Sequence, residues 1–481
     1  MVVREIGVEL SLLSKLVFKL GGTFLAVILV GGIASTSQAS QAARKGPKGH
    51  PDAVPGEIII KYRPGVSERP AFINARLKEL GVSEVRRLSG SLSEIGIFKT
   101  ASAAGYDDVL AELNEDPEIE FAQPNYVVTT PSAEGRDVSG LPLECLLRPG
   151  IVCGHGIFLA KPRPVLKPRP SEVSPPQADP MLKEVYSVVI AHAAEAWSVS
   201  RGSDSVIVGV VDSGIDYNHE DLAFNMWRNP TPGPMNDIVG YDFLSNNGEP
   251  YDDDEMKGHG THAAGIIGAV GGNGKGLSGV NQRVSLMALK SFSAYGYGTT
   301  ESVVAAIGYA MDHGAKIVSN SFASGKKDNP VVIDTIEKAR AKGVLLAFAA
   351  GNSAGDDDND ETANYPAGYR IDNIVAVAST DPEDQLASSS NYGATTVLLA
   401  APGVNIYSTL PGSKYGWQSG TSMACPFVAG TAAQIWARHP TWSYLQVRKA
   451  LHDSVDVLTQ LSGKVISGGR VNVFKALQVT E

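Results

Sequence analysis

The strongest constraint on this chain lies between residues 180 and 481, where short apolar runs alternate with helical stretches. VIVGVVD (206–212), SLMALKS (285–291), AKIVSNS (315–321), VLLAFAAGN (344–352) and NIVAVAS (373–379) are rich in Val, Ile, Leu and Ala. Runs of this kind, without polar alternation, predict strands buried on both faces. Between them lie ESVVAAIGYAMDHG (301–314) and PVVIDTIEKARAKG (330–343), whose apolar residues recur at helical spacing. This alternation predicts an α/β domain with a mostly parallel central sheet flanked by helices. Ligands bind such sheets at the carboxyl ends of the strands, so a reactive side chain there is a candidate and one elsewhere is not.

The residues before this domain fall into three parts. Arg4, Lys15 and Lys19 precede the apolar run 20–34, and the small residues STSQASQAA follow. The run is short for a membrane span, so 1–42 is expected to be a signal peptide, cleaved after Ala39 or Ala42; an uncleaved anchor is the alternative. An exported protein follows, extracellular or periplasmic. Residues 52–128 predict a small α+β domain: strands at 56–64, 93–100 and 119–128, helices at 70–80 and 106–116. Residues 129–178 hold KPRPVLKPRP and SEVSPPQ, the composition of an extended linker rather than a packed unit. Cys145 and Cys153 are expected to pair within it in an oxidising compartment, leaving Cys425 as a buried thiol. A net charge of −10 argues against general nucleic-acid binding. A monomer without a stable membrane anchor is expected.

Four polar residues stand at strand ends or helix starts of the large domain. Asp212 ends the first apolar strand in VVDSGID, and Asn352 ends another in AFAAGNSAG. His259 lies between glycines in KGHGTHAAG, and Ser422 opens a helical stretch in SGTSMACPFVAG. Each has an ordinary structural explanation: a turn residue, a satisfied core histidine (also the plain reading of His262), or an N-cap serine. Together they form a set with one use. A serine hydroxyl becomes a nucleophile when an imidazole takes its proton, and a carboxylate orients that imidazole. An amide donor then stabilises the oxyanion, beside a helix N-terminus of the right polarity.

DSGID, HGTH, AAGN and GTSMACP, in this order, resemble the subtilisin-like serine proteases, as do NYPAGY (364–369), AAPGVNIYSTL (400–410) and GGRVNVFKAL (468–477). The resemblance implies a secreted serine endopeptidase acting on peptides through an acyl-enzyme. Its triad would be Asp212, His259 and Ser422, with Asn352 in the oxyanion hole and His262 structural. It also implies that 52–128 is an inhibitory propeptide, removed by self-processing, with PNYVV (124–128) closing the substrate cleft. Substrate backbone would lie between Gly296-Tyr297-Gly298 and Ser321-Phe322-Ala323 by strand addition. Ala323 stands where the family usually has glycine, and Phe427 where it usually has histidine.

A structural calcium ion is implied as well, held by Asp179, Asp221, Asn273 and the carbonyls of Val270, Lys275 and Leu277; oxygen donors from a glycine-rich loop suit a hard cation. A plain turn at GGNGKG is the alternative. The acidic stretch from Asp242 to Asp254 is not assigned an ion, because Ser245 and Asn247 replace acidic residues there. DDDNDE (356–361) is read as a solvated loop. Two rivals remain: a metal-dependent hydrolase built on His259 and His262, and an inactive binding protein on the same fold. The first leaves GTSMACP and AAGN without a use, and the second is disfavoured because no triad member is missing.

Overall fold

The computed structural model describes residues 52–65, 75, 77–102, 105–130, 143–147, 164, 177–253, 258–323, 327–353 and 358–480. Contacts divide the chain into residues 1–44 and 45–481, and the elements below belong to the second unit. The signal segment, most of the helix expected at 70–80 and the Cys145–Cys153 pairing lie outside the described residues. No helix among the described residues is long and apolar enough to cross a membrane.

The large domain is built on a nine-stranded sheet. Its strands are β5 (Gly202–Asp212), β6 (Gly240–Asp242), β7 (Arg283–Lys290), β9 (Ile317–Asn320), β10 (Leu345–Ala349), β11 (Ile374–Thr380), β12 (Leu399–Pro402), β15 (Asp456–Val457) and β16 (Gly469–Arg470), in the order β15-β16-β12-β11-β10-β9-β5-β7-β6. All neighbours run parallel except β15 with β16. The five strands expected from apolar runs are all present, with ends shifted by a few residues. β5 lies inside the sheet, with Val208 opposite both Leu286 and Ile317.

Side-chain alternation divides this sheet between two cores. Leu345, Ala347 and Ala349 of β10 face one, with the helices His259–Gly268 and Thr421–Arg438. Leu346 and Phe348 face the other, with the helices Thr300–Asp312 and Pro330–Ala341. Strands buried on both faces carry no polar alternation, which is why they read as continuous apolar runs.

The N-terminal unit pairs β1 (Ala53–Tyr62), β2 (Val82–Arg87), β3 (Ile95–Thr100) and β4 (Ile119–Thr129) in antiparallel order β2-β3-β1-β4, with the helix Tyr106–Glu115 against them. β2 was absent from the sequence expectation: VSEVRR buries only Val82 fully, so it carries almost no periodic signal. In β1, Ile58, Ile60 and Tyr62 fill the unit's own core, while Ile59 joins the core of the large domain with Leu92, Ile95 and Ile97.

β4 continues this sheet into the large domain by pairing with β8 (Tyr297–Thr299). The linker also departs from expectation. Leu143–Leu147 is a short helix with Leu143, Leu146 and Leu147 buried against the large domain. Leucines at i, i+3 and i+4 share one face of a helix, a signal hidden among the surrounding prolines.

Candidate active site

Asp212 is the last residue of β5, at the carboxyl end of the sheet. His259 opens the His259–Gly268 helix directly above it, and His259 Nδ1 lies 2.7 Å from Asp212 Oδ1. Both side chains are about fully buried. Gly260 makes this approach possible: a Cβ there would stand 2.1 Å from the Gly214 carbonyl oxygen. The turn after Asp212 is tied to the same helix by a buried network. Asp252 accepts from Ser213 Oγ (3.0 Å), Thr261 N (2.9 Å) and Thr261 Oγ1 (2.6 Å), and Ser213 Oγ accepts from Gly260 N (3.0 Å).

Lys290, wholly buried at the end of β7, donates to the Ser213 and Phe292 carbonyls and to Asp253 Oδ1. Asp252, Asp253 and Lys290 were missed from sequence. YDDDE reads as an acidic loop, and a lysine closing an apolar strand reads as its solvated end.

Ser422 is the second residue of the Thr421–Arg438 helix, whose N-cap is Gly420. Its side-chain oxygen is buried and makes no hydrogen bond to a described residue. Pro426 sits inside this helix and has no N–H for the Ser422 carbonyl four residues back. That carbonyl accepts instead from Ser321 Oγ at 3.1 Å, which fastens the helix start to the segment after β9.

Asn352 follows β10, and its Oδ1 accepts from Thr421 N (2.9 Å) and Thr421 Oγ1 (3.0 Å). With the oxygen held, the amide's N–H₂ end is the donor left for the space beside Ser422. It lies against Gly420, where a Cβ would come within 3.0 Å of Asn352 Nδ2.

His262 points away from this set. Its Nε2 faces the Ile406 carbonyl at 3.0 Å and the Gly416 carbonyl at 3.2 Å, within the hairpin Ile406–Leu410/Lys414–Gln418. Burial pushes its pKa down to about 3, so it is a neutral donor to backbone. The two histidines therefore do not converge, and among the described residues no group of three or more His, Cys, Asp or Glu forms a metal-ligating cluster.

The two expected edge segments flank one strand, and that strand is β4. Val127, Val128 and Thr129 pair with Thr299, Gly298 and Tyr297 on one side. On the other, Thr129 and Ala323 exchange both backbone hydrogen bonds, at 3.1 and 3.0 Å. Thr130 N then donates to the Gly296 carbonyl at 2.9 Å. The methyl of Ala323 is thus compatible with strand addition. Val128, fully buried, joins the cluster that holds Phe292 and Phe322, whose rings are 5.5 Å apart. Phe427, within the Ser422 helix, packs into the core.

Cys425 is wholly buried, and burial pushes its thiol up to about 12. It lies one turn from Ser422 but faces the end of β9, with Sγ 3.7 Å from the Asn320 carbonyl. Its thiol has no exposed surface for a bulky reagent, although Cys425 lies one helical turn from Ser422.

The two expected carboxylate ligands both fasten the same loop. Asp179 accepts from Gly272 N (2.8 Å), Asn273 N (3.1 Å) and Ser278 Oγ (2.6 Å). Both its oxygens thereby help fasten the 270–278 loop, and Oδ1, which accepts only one of these bonds, keeps capacity for a further partner. Asp221 is fully buried, accepts from Asn273 Nδ2 and Leu277 N at 2.8 Å each, and is pushed up to about 7 by burial, with Asp179 adding to the shift. A buried carboxylate beside oxygen-bearing loop residues, with Lys275 turned out to Glu220, fits a hard cation.

The Subtilase family model matches residues 203–468, more than half of the chain. The chain belongs to the subtilase family of serine proteases. A second match, to the Fervidolysin N-terminal prodomain, covers residues 39–125. Thermitase of Thermoactinomyces vulgaris is 38% identical over 60% of this chain and 93% of its own. The Thermophilic serine proteinase of Bacillus sp. (strain AK1) is 29% identical over 88% of each chain, so that similarity extends through the prodomain. Subtilisin DY of Bacillus licheniformis is 35% identical over 61% of this subtilase and 98% of its own length. This subtilase is thus a subtilisin-like serine endopeptidase with an N-terminal prodomain.

Proposed function

We propose that this subtilase is exported as a zymogen and hydrolyses peptide bonds with the triad Asp212, His259 and Ser422, first processing its own prodomain. The observation that carries the reading is the 2.7 Å contact of His259 Nδ1 with buried Asp212, on the same sheet edge as the Ser422 helix start. Asp212 fixes the imidazole with Nδ1 protonated, so Nε2 is the base that takes the Ser422 proton. Ser422 Oγ attacks the substrate carbonyl, and the oxyanion forms beside the Asn352 amide and the first N–H groups of the serine helix. His259 then gives its proton to the leaving amine, and water hydrolyses the acyl-serine by the same steps in reverse roles. Substrate backbone takes the place of Val127–Thr130 between Gly296-Tyr297-Gly298 and Ser321-Phe322-Ala323, adding one strand to each edge.

A calcium ion would be held by Asp179, Asp221, Asn273 and the carbonyls of Val270, Lys275 and Leu277, with both carboxylates also fastening the loop. Its contribution there is to compensate the buried Asp221 charge and tie the loop down. Export rests on the charged-then-apolar N-terminus, and the working enzyme is proposed to be a monomer.

The test is active-site labelling. A serine-directed phosphonate should inactivate the processed enzyme at one equivalent, with the adduct mapped to Ser422. A chelator should leave the initial rate unchanged. Labelling elsewhere, or immediate loss with chelator alone, contradicts the reading.

A further inference from the structure

The inhibitory strand is not the only part of the N-terminal region resting on the cleft wall. Thr130 leaves the cleft bonded to the Gly296 carbonyl, and the next described stretch is the Leu143–Leu147 helix. That helix packs against β8, the same edge that pairs with the inhibitory strand. Ser293, itself buried, donates through Oγ to the Leu146 carbonyl. Ser293 also shapes the turn that carries Gly296: its N donates to the Tyr297 carbonyl and its carbonyl accepts from Gly296 N, both at 2.9 Å. One turn is therefore gripped twice, by the strand at Gly296 and by the helix at Ser293. A helix of five residues does not hold its shape alone in water, so its order and the burial of Leu143, Leu146 and Leu147 come from this docking.

We infer that Leu143–Leu147 is a second inhibitory latch, and that activation takes two cuts, one on each side of it. This rests on the protease reading above. A first cut between 131 and 142 releases the prodomain but leaves the helix covalently joined to the catalytic domain and seated on the cleft wall. A second cut beyond Cys153, outside the expected Cys145–Cys153 loop, removes it. Each cut adds one water across a peptide bond and leaves a carboxylate and an amine.

The experiment follows the full-length wild-type chain during self-processing, by intact mass and by hydrolysis of a small chromogenic peptide in the same samples. The expected intermediate begins within 131–143 and has little activity, and full activity tracks the species that begins after Cys153. A second arm uses Leu146→Asp with Leu147→Asp, which puts charges on the docked face. The interval between the first cut and full activity should shorten roughly tenfold or more, given the apolar burial lost from two leucines. Full activity from a species still carrying Leu143–Leu147, a single cut with no second one, or an unchanged interval in the variant overturns the latch. Those results leave the protease reading standing. A chain that never hydrolyses peptide overturns both.

Discussion

The surroundings of Asp212 and His259 and the prodomain interface are built from similar residues in different solvent. Asp212 and His259 are about fully buried, and Lys290 has no exposed side-chain surface at all. The prodomain's grip mixes buried and wetter partners: Lys61, nearly buried, pairs with Asp334 at 2.6 Å, Lys338 with Glu94, and Arg86 with buried Glu301. Lys338 and Glu94 keep 25% and 23% of their side-chain surface exposed, and Arg86 keeps 30%. Neutral amides complete this interface, with Gln123 Oε1 accepting from Val331 N at 3.0 Å and Asn125 Oδ1 from Glu301 N at 3.1 Å. Partly exposed pairs such as Lys338–Glu94 contribute little net energy, whereas buried networks cost heavily to break. The difference suits a scaffold that stays and an inhibitor that leaves.

If that contrast holds, substitutions on the buried side should be the costly ones. The largest effect is expected from Asn352→Ala, with turnover falling roughly 10²–10³-fold and KM little changed. Steady-state kinetics on a peptide substrate checks this, and unchanged turnover means other donors hold the oxyanion. Chelation comes next. A cation bound only to the folded state at 100 times its dissociation constant stabilises by about 2.7 kcal/mol. Chelator should therefore shorten the thermal inactivation half-life, measured with a serine inhibitor present to suppress autolysis. Asp221→Asn should reproduce much of that loss with calcium present.

Asp252→Asn should cost roughly 2 kcal/mol of stability, because it removes a charged acceptor from three buried donors. It should also lower turnover through the loosened Asp212 turn, and denaturant melts and kinetics together separate the two effects. The smallest effect is expected on the releasable side. Glu94→Gln removes one partner of Lys338, which keeps Asp334 at 3.1 Å and can turn to water. The melting temperature of the unprocessed precursor should move by no more than about 4 °C. A collapse of the precursor would mean the interface is as buried in energy as the surroundings of Asp212 and His259.

The catalytic sheet was legible because strands covered on both faces read as plain apolar runs, as in Leu345–Ala349. The four candidate site residues stood out because each lies at a strand end or helix start within two residues of a glycine. Less visible were features whose meaning depends on distant partners. Val82–Arg87 becomes a strand only by pairing with Ile95–Thr100. Asp252 and Lys290 become a buried clamp only where the chain returns to Ser213. Asp179 carried the right charge for a cation ligand, but its three bonds to the 270–278 loop depend on a return of the chain that the sequence does not show. The Leu143–Leu147 helix was masked by the proline-rich composition around it.

The most direct test of the central claim is the fate of a Ser422→Ala precursor made in a protease-deficient host. The only atom removed is the hydroxyl oxygen proposed as nucleophile, so folding and the prodomain interface should persist. Intact mass of the exported protein should show the prodomain still joined to the catalytic domain, while wild type under the same conditions is cut. Normal processing of the Ser422→Ala chain would contradict self-cleavage by Ser422.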